Sequence, residues 1–192
     1  VERSRGLGDV YKRQVYGQSK AAGDLAVEGC LMHYILRSSW VIGDGNNFVK
    51  TMKALSDRCA DPEDALVEVA VVDDQLGRLT FTDDMAKAIF HLLGYREGEL
   101  EPSAPAAYGT YNCTGSGRVV SWAEIAREVF DLINGNGGCV RPVSTAEYYA
   151  SAQGPIAPRP EHSALDLSKL EAEGFHMPDW ELSLRGYAHG LS

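Results

Sequence analysis

The sequence predicts an α/β fold, and three observations carry that prediction. Runs with strand character at 34–39, 67–72, 110–113 and 140–143 are separated by stretches with helical periodicity or helix-start signals. Helix starts are marked by Ser121 with Glu124, Ser144 with Glu147 and Ser168 with Glu171, each spaced as a capping box. A turn-rich loop at 40–47 follows the first strand run, at the strand end where open α/β sheets place their ligands.

Taken in order, residues 16–28 read as a helix closed by Gly29, and 34–39 as a short buried strand. Residues 48–55 then read as helix, and 67–72 alternate as a strand does. In 82–93, Met85, Ile89, Leu92 and Leu93 share one helical face, with Met85 and Ile89 expected in the core. Thr82 is the expected cap, and Asp83 and Asp84 suit the positive end of the helix dipole. Residues 97–107 carry Pro102 and Pro105 and read as an exposed loop. After the strand at 110–113, Ser121 opens a helix bearing Ile125, Val129 and Phe130. Residues 154–160 contain three prolines and read as irregular loop.

At 192 residues, 44% hydrophobic and 23% charged, the composition is that of a globular domain, with no apolar run long enough for a membrane span. A net charge of −9 disfavours nonspecific binding to nucleic acid or acidic membranes, while leaving room for a local basic pocket. Cys30, Cys59, Cys113 and Cys139 have neither zinc-ligand spacing nor a disulfide framework, so reduced, mostly buried thiols in a cytoplasmic protein are expected, with no metal.

Residues 1–14 hold four basic and two acidic residues, without helical or strand periodicity. The run Gly6 to Gln14 resembles translated sequencing-adaptor sequence, so 1–14 are expected to be a non-native leader and 15–192 the protein proper. Gly6-x-Gly8, Gly43-x-Gly45 and Gly115-x-Gly117 each lack the third glycine and the strand, turn and helix setting of a dinucleotide fingerprint.

The chemistry is concentrated in Tyr16-x-x-x-Lys20, whose spacing stacks a phenol and an ammonium on one helix face. A lysine charge beside a tyrosine hydroxyl favours the phenolate, which suits proton exchange with a carbonyl oxygen. The pair points to carbonyl and alcohol redox chemistry.

Beyond that pair lie Leu36-Arg-Ser-Ser-Trp-Val-Ile-Gly43, Asn46-Asn-Phe-Val-Lys-Thr-Met52 and Val71-Val-Asp-Asp-Gln-Leu-Gly77. Tyr111-Asn-Cys-Thr-Gly-Ser116, Pro158-Arg-Pro160 and Ser163-Ala-Leu-Asp-Leu-Ser-Lys169 follow. In this order the motifs resemble the dTDP-4-dehydrorhamnose reductases, which are extended short-chain dehydrogenase/reductases, from Val15 to the C-terminus. The resemblance implies the C-terminal part of an NAD(P)-binding Rossmann-type doubly wound fold plus a small mixed α/β substrate-binding lobe. It implies NADPH-dependent reduction of the C4 ketone of dTDP-4-dehydro-L-rhamnose, with NADH as an alternative donor. Tyr16 would protonate the ketone oxygen, and Lys20 would hold the nicotinamide ribose and keep the tyrosine acidic. Trp40 would lie against the sugar, Asn47 and Gln75 would hydrogen-bond the substrate, and Arg159 would meet the diphosphate.

The family's nucleotide-binding glycines and its polarising Ser or Thr lie upstream of the tyrosine, so the fragment is expected to be inactive alone, with exposed sheet edges. A homodimer, or fusion to the 3,5-epimerase, is implied for the full-length protein. Two other readings stand beside this one: an epimerase or dehydratase acting on another nucleotide sugar, and a non-catalytic regulatory subunit that binds a partner enzyme.

Overall fold

The computed structural model describes residues 15–96, 98, 101–151 and 159–191. The expected leader at 1–14, and 154–158 of the expected proline-rich loop, lie outside the described residues. Helix α1 (Val15–Glu28) leads into β1 (Tyr34–Arg37), β2 (Val41–Ile42) and α2 (Phe48–Ala60). Next come β3 (Val69–Val72), β4 (Leu76–Gly77), β5 (Thr80–Phe81) and α3 (Thr82–Leu92). Then β6 (Gly109–Asn112), β7 (Val120–Ser121) and α4 (Trp122–Asn134) are followed by a 3₁₀ turn, Gly137–Cys139, and β8 (Val140–Val143). Helices α5 (Thr145–Tyr148), α6 (Ser168–Ala172) and α7 (Trp180–His189) complete the chain.

Pairing is mostly parallel, as strands joined through helices require. β1 runs beside β6 with Tyr34 opposite Gly109 and Arg37 opposite Asn112. β2 runs beside β5, and β3 beside β8 with Val69 opposite Val140. Only β4 and β7 are antiparallel among the named strands, with Gly77 opposite Val120.

Two apolar clusters hold these elements. The larger joins Val49 of α2, Phe81 of β5, Val129 and Phe130 of α4, and Trp180 and Leu184 of α7. α4 is its centre, because Ala123, Ile125, Ala126, Val129 and Phe130 repeat at helical spacing and are all buried. The expected capping box is formed: the Ser121 hydroxyl accepts from the Glu124 N–H, and the Glu124 carboxylate accepts from the Ser121 N–H. Gly135 closes the helix at φ 67°, a left-handed conformation that glycine adopts without a Cβ penalty. The smaller cluster gathers Ala88, Leu92, Tyr111, Cys113, Leu170 and Met177.

The sequence-based boundaries need several corrections. The loop expected at 40–47 contains β2, and α2 runs on to Ala60 because Met52 and Ser56 continue its buried stripe. Val67 is exposed and precedes β3. In α3 the buried positions are Asp84, Ala88, His91 and Leu92, so the inward stripe is rotated away from Ile89 and Leu93, which are exposed, while Met85 packs partly buried against the smaller cluster. Thr82 is the first helical residue, not the cap: Phe81 holds the N-cap position and makes no side-chain cap bond. Likewise Ser168 lies inside α6, where its N–H donates to Asp166. Ser144 caps α5, but Glu147 turns to Arg141 instead of closing the box. Cys30 is exposed and only Cys113 is fully buried; all four thiols are free. Sequence reading missed α7, although Asp179 followed by Trp180, Leu184 and Ala188 carried both a cap and an apolar stripe.

Candidate active site

The site forms where β1 ends. The chain turns through Ser38 and Ser39 into Trp40, whose φ of 50° is the only positive value at a non-glycine among the described residues. That left-handed conformation costs about 1–3 kcal/mol and persists only where the surroundings fix it. The Thr80 hydroxyl donates to Ser39 O at 2.7 Å and the Thr80 N–H to Trp40 O at 3.0 Å, bracketing the turn. The Trp40 indole stacks on Trp122, the first residue of α4, with centroids 3.8 Å apart and planes 23° from parallel. Its other neighbour is Gly77 of β4, where a Cβ would come within 2.9 Å of the indole.

Beside this turn opens a cavity of about 850 Å³, lined by Tyr16 and Lys20 of α1, by Trp40 and Trp122, and by Gln75 and Arg159. Five of the six residues expected at the site from sequence therefore meet in one place. Lys20 Nζ lies 5.7 Å from the Tyr16 ring centroid, as their one-turn spacing requires. α1 is held loosely: Gly17 is its only buried residue, and Asp24 pairs with Arg37 at 2.8 Å across an exposed surface. Gln75 Nε2 donates to Thr145 Oγ1 at 2.9 Å, which orients its amide. The Thr145 hydroxyl also donates to Asp74, and this bond, with the Thr145 N–H, holds the Asp74 carboxyl below the usual carboxylate range. Arg159 lines the cavity, and no ion pair engages it among the described residues.

Asn47 is the exception. It does not line the cavity: its Oδ1 accepts from Lys50 N to cap α2, and its Nδ2 lies within hydrogen-bond distance of Gly43 O, Gly45 O and Tyr187 Oη. The side chain is committed to holding the loop and α7 together. Sequence reasoning missed Trp122, Ser38, Asn112 and Ser163, which also line the cavity. Among the described residues, Ser38 Oγ is buried with no hydrogen-bond partner. No local signal marks Trp122, because a capping box predicts only that a helix starts there.

Of the paired glycines, Gly115 packs against Trp180 and the Leu79 carbonyl, and Gly117 against Asp179. Neither leaves the open space that a phosphate needs. Among the described residues, no group of three or more His, Cys, Asp or Glu is placed to hold a metal ion, and no helix is long and apolar enough to cross a membrane.

Parallel pairing, helices between strands and a ligand-sized cavity at a strand end define a Rossmann-type α/β protein. Comparison with known proteins agrees. The family model for the RmlD substrate binding domain matches residues 12–191, and the chain belongs to that family. It is 40% identical over 177 residues to a dTDP-4-dehydrorhamnose reductase of Sinorhizobium fredii, covering 89% of this chain and 54% of the relative. The counterpart from Aggregatibacter actinomycetemcomitans is 35% identical, covering 89% of this chain and 55% of the relative. The crystal structure of the Bacillus anthracis reductase in complex with NADP superposes with a TM-score of 0.73 at 33% identity, covering 93% of this chain and 56% of that one. The chain thus spans about half the length of the curated relatives it matches.

Proposed function

We propose that this chain is the C-terminal, substrate-binding part of an NADPH-dependent dTDP-4-dehydrorhamnose reductase, which converts dTDP-4-dehydro-L-rhamnose to dTDP-L-rhamnose. The observation that carries the reading is the convergence of Tyr16, Lys20, Trp40, Gln75 and Arg159 on one cavity. Support comes from the reductases at 35–40% identity and from the NADP held by the Bacillus anthracis enzyme.

The residues present fit one end of such a cofactor, since Tyr16 and Lys20 border an open cavity, whereas the glycine pair at 115 and 117 is packed and offers no phosphate cradle. When bound, the cofactor supplies a hydride to the C4 carbonyl. Tyr16 gives the carbonyl oxygen its proton. Lys20 holds the nicotinamide ribose and, by its charge, favours release of that proton. Trp40 offers the sugar an apolar face, Gln75 hydrogen-bonds it through the amide that Thr145 orients, and Arg159 meets the diphosphate.

By itself this chain is inactive in the same reading. The full-length protein is cytoplasmic, a setting that the free thiols support. It works as a homodimer or joined to the 3,5-epimerase. Exposed Val15, Leu25, Leu31 and Met32, on and just after α1, support a covering surface there. The test is NADPH oxidation by the full-length gene product with dTDP-4-dehydrorhamnose, followed by identification of the product. Stoichiometric formation of dTDP-rhamnose is expected, and release of an epimer or dehydrated sugar with no net NADPH consumption would overturn the reading.

A further inference from the structure

We propose that Trp122 is a positioning residue that aims Trp40 into the cavity, and that Gly77 limits the space beside the six-membered ring of that indole. The proposal rests on the reductase reading for its substrate, a nucleotide-linked sugar, but its geometric half stands apart from that reading. Trp40 sits at a backbone conformation that a bulky residue adopts only under constraint. The Thr80 bonds fix the peptide on either side of it, yet they leave χ1 and χ2 undetermined. What fixes the ring is the 3.8 Å stack on Trp122 and the close approach of Gly77.

Trp122 is itself held rigidly. It opens α4 directly after the Ser121 capping box, and the Ser121 hydroxyl donates to Asp73 Oδ1 at 2.6 Å. Ala123 and Ile125 beside it are fully buried. On another side Phe48, the first residue of α2, meets the Trp122 ring at 4.5 Å and 52°. An aromatic row therefore runs from the start of α2, through the start of α4, to the cavity wall. Two helix N-termini, each with a side-chain cap, register one indole plane. A pyranose lying on Trp40 meets a platform whose tilt is set by residues beneath it, and preorganised placement of that kind raises affinity by reducing the ordering needed on binding.

The test uses the full-length reductase and reads four quantities: KM for the sugar nucleotide, KM for NADPH, kcat, and the far-ultraviolet exciton couplet that stacked indoles give in circular dichroism. Trp122→Leu is expected to raise KM for the sugar nucleotide about two- to tenfold, the range of an aromatic pair. KM for NADPH and kcat are expected to stay within about twofold, since a ground-state platform acts on KM. The couplet is expected to vanish in Trp122→Leu as completely as in Trp40→Leu. Trp122→Phe restores most of the sugar-nucleotide KM, and Gly77→Ala raises that same KM while leaving both indoles in the chain. These two milder variants keep the test decisive if Trp122→Leu fails to fold. An unchanged sugar-nucleotide KM in the variants, or a parallel rise in KM for both substrates, overturns the proposal. If the unaltered enzyme does not reduce dTDP-4-dehydrorhamnose, it is the reductase reading that fails. The couplet then decides alone: its survival in Trp122→Leu, or its absence from the unaltered protein, overturns the stack.

Discussion

Lys20 Nζ stands 5.7 Å from the ring centroid of Tyr16, one turn further along a helix whose only buried residue is Gly17. The pair faces the cavity from an element that contributes little to the core, so chemistry and stability are separable there. Tyr16→Phe in the full-length reductase should lower kcat by about 100- to 10,000-fold, the range for loss of a general acid. Because Tyr16 is 62% exposed, the unfolding free energy should change by less than about 0.5 kcal/mol. A thermal melt beside steady-state kinetics checks both, and equal losses in activity and stability would count against the assignment.

Asn47 should behave in the opposite way. Its side chain caps α2 and ties Gly43 O and Gly45 O to Tyr187. Asn47→Ala should therefore cost about 1–2 kcal/mol, as a lost N-cap with further hydrogen bonds does. KM for the sugar nucleotide should stay unchanged below the melting transition. Denaturant titration measures the first, and a large KM increase in a fully folded variant would restore Asn47 to the substrate site.

Trp180 is fully buried in the larger cluster, and its indole N–H donates to Arg118 O at 2.9 Å. Trp180→Ala should destabilise the protein by about 3–5 kcal/mol through cavity formation. Trp180→Phe, which keeps most of the apolar volume but orphans that carbonyl, should cost less than half as much. Urea midpoints for the two variants check the ordering.

Burial and the neighbouring Glu173 push the Tyr111 phenol up to about 12, from an ordinary value of 10.0. The folded state holds that proton more tightly than the unfolded chain does. Its contribution to stability is therefore complete below pH 10 and is lost as pH rises toward 12. Tyr111→Phe lacks the bonds to Ala107 O and Glu173, so it should be less stable near neutrality. The gap between the two proteins should narrow between pH 10 and 12. Urea titrations across that range measure it, and a gap constant with pH would refute the linkage.

Much of this molecule was legible in local sequence because its signals are local. The Ser121 and Glu124 spacing marks a helix start by pairing groups one turn apart, and the structure forms that box. Tyr16 and Lys20 share a face by helix geometry alone. The runs at 110–113 and 140–143 were readable as strand candidates, while their parallel pairing with β1 and β3 was not. The face of α3 was misread for a related reason. Periodicity predicts that a stripe exists, but whether it centres on Ile89 or on Ala88 depends on what packs against it.

By itself, then, the sequence determined the α/β class, the Tyr16 and Lys20 pair and the helix start that Ser121 caps, because each follows from residues within a turn or a strand of one another. Only the tertiary structure decided that Trp40 leans on Trp122, that a Cβ at Gly77 would crowd the Trp40 indole, and that Asn47 bonds to Tyr187 of α7. Those outcomes depend on close packing between segments far apart in the chain, where an ångström of separation chooses between contact and clash.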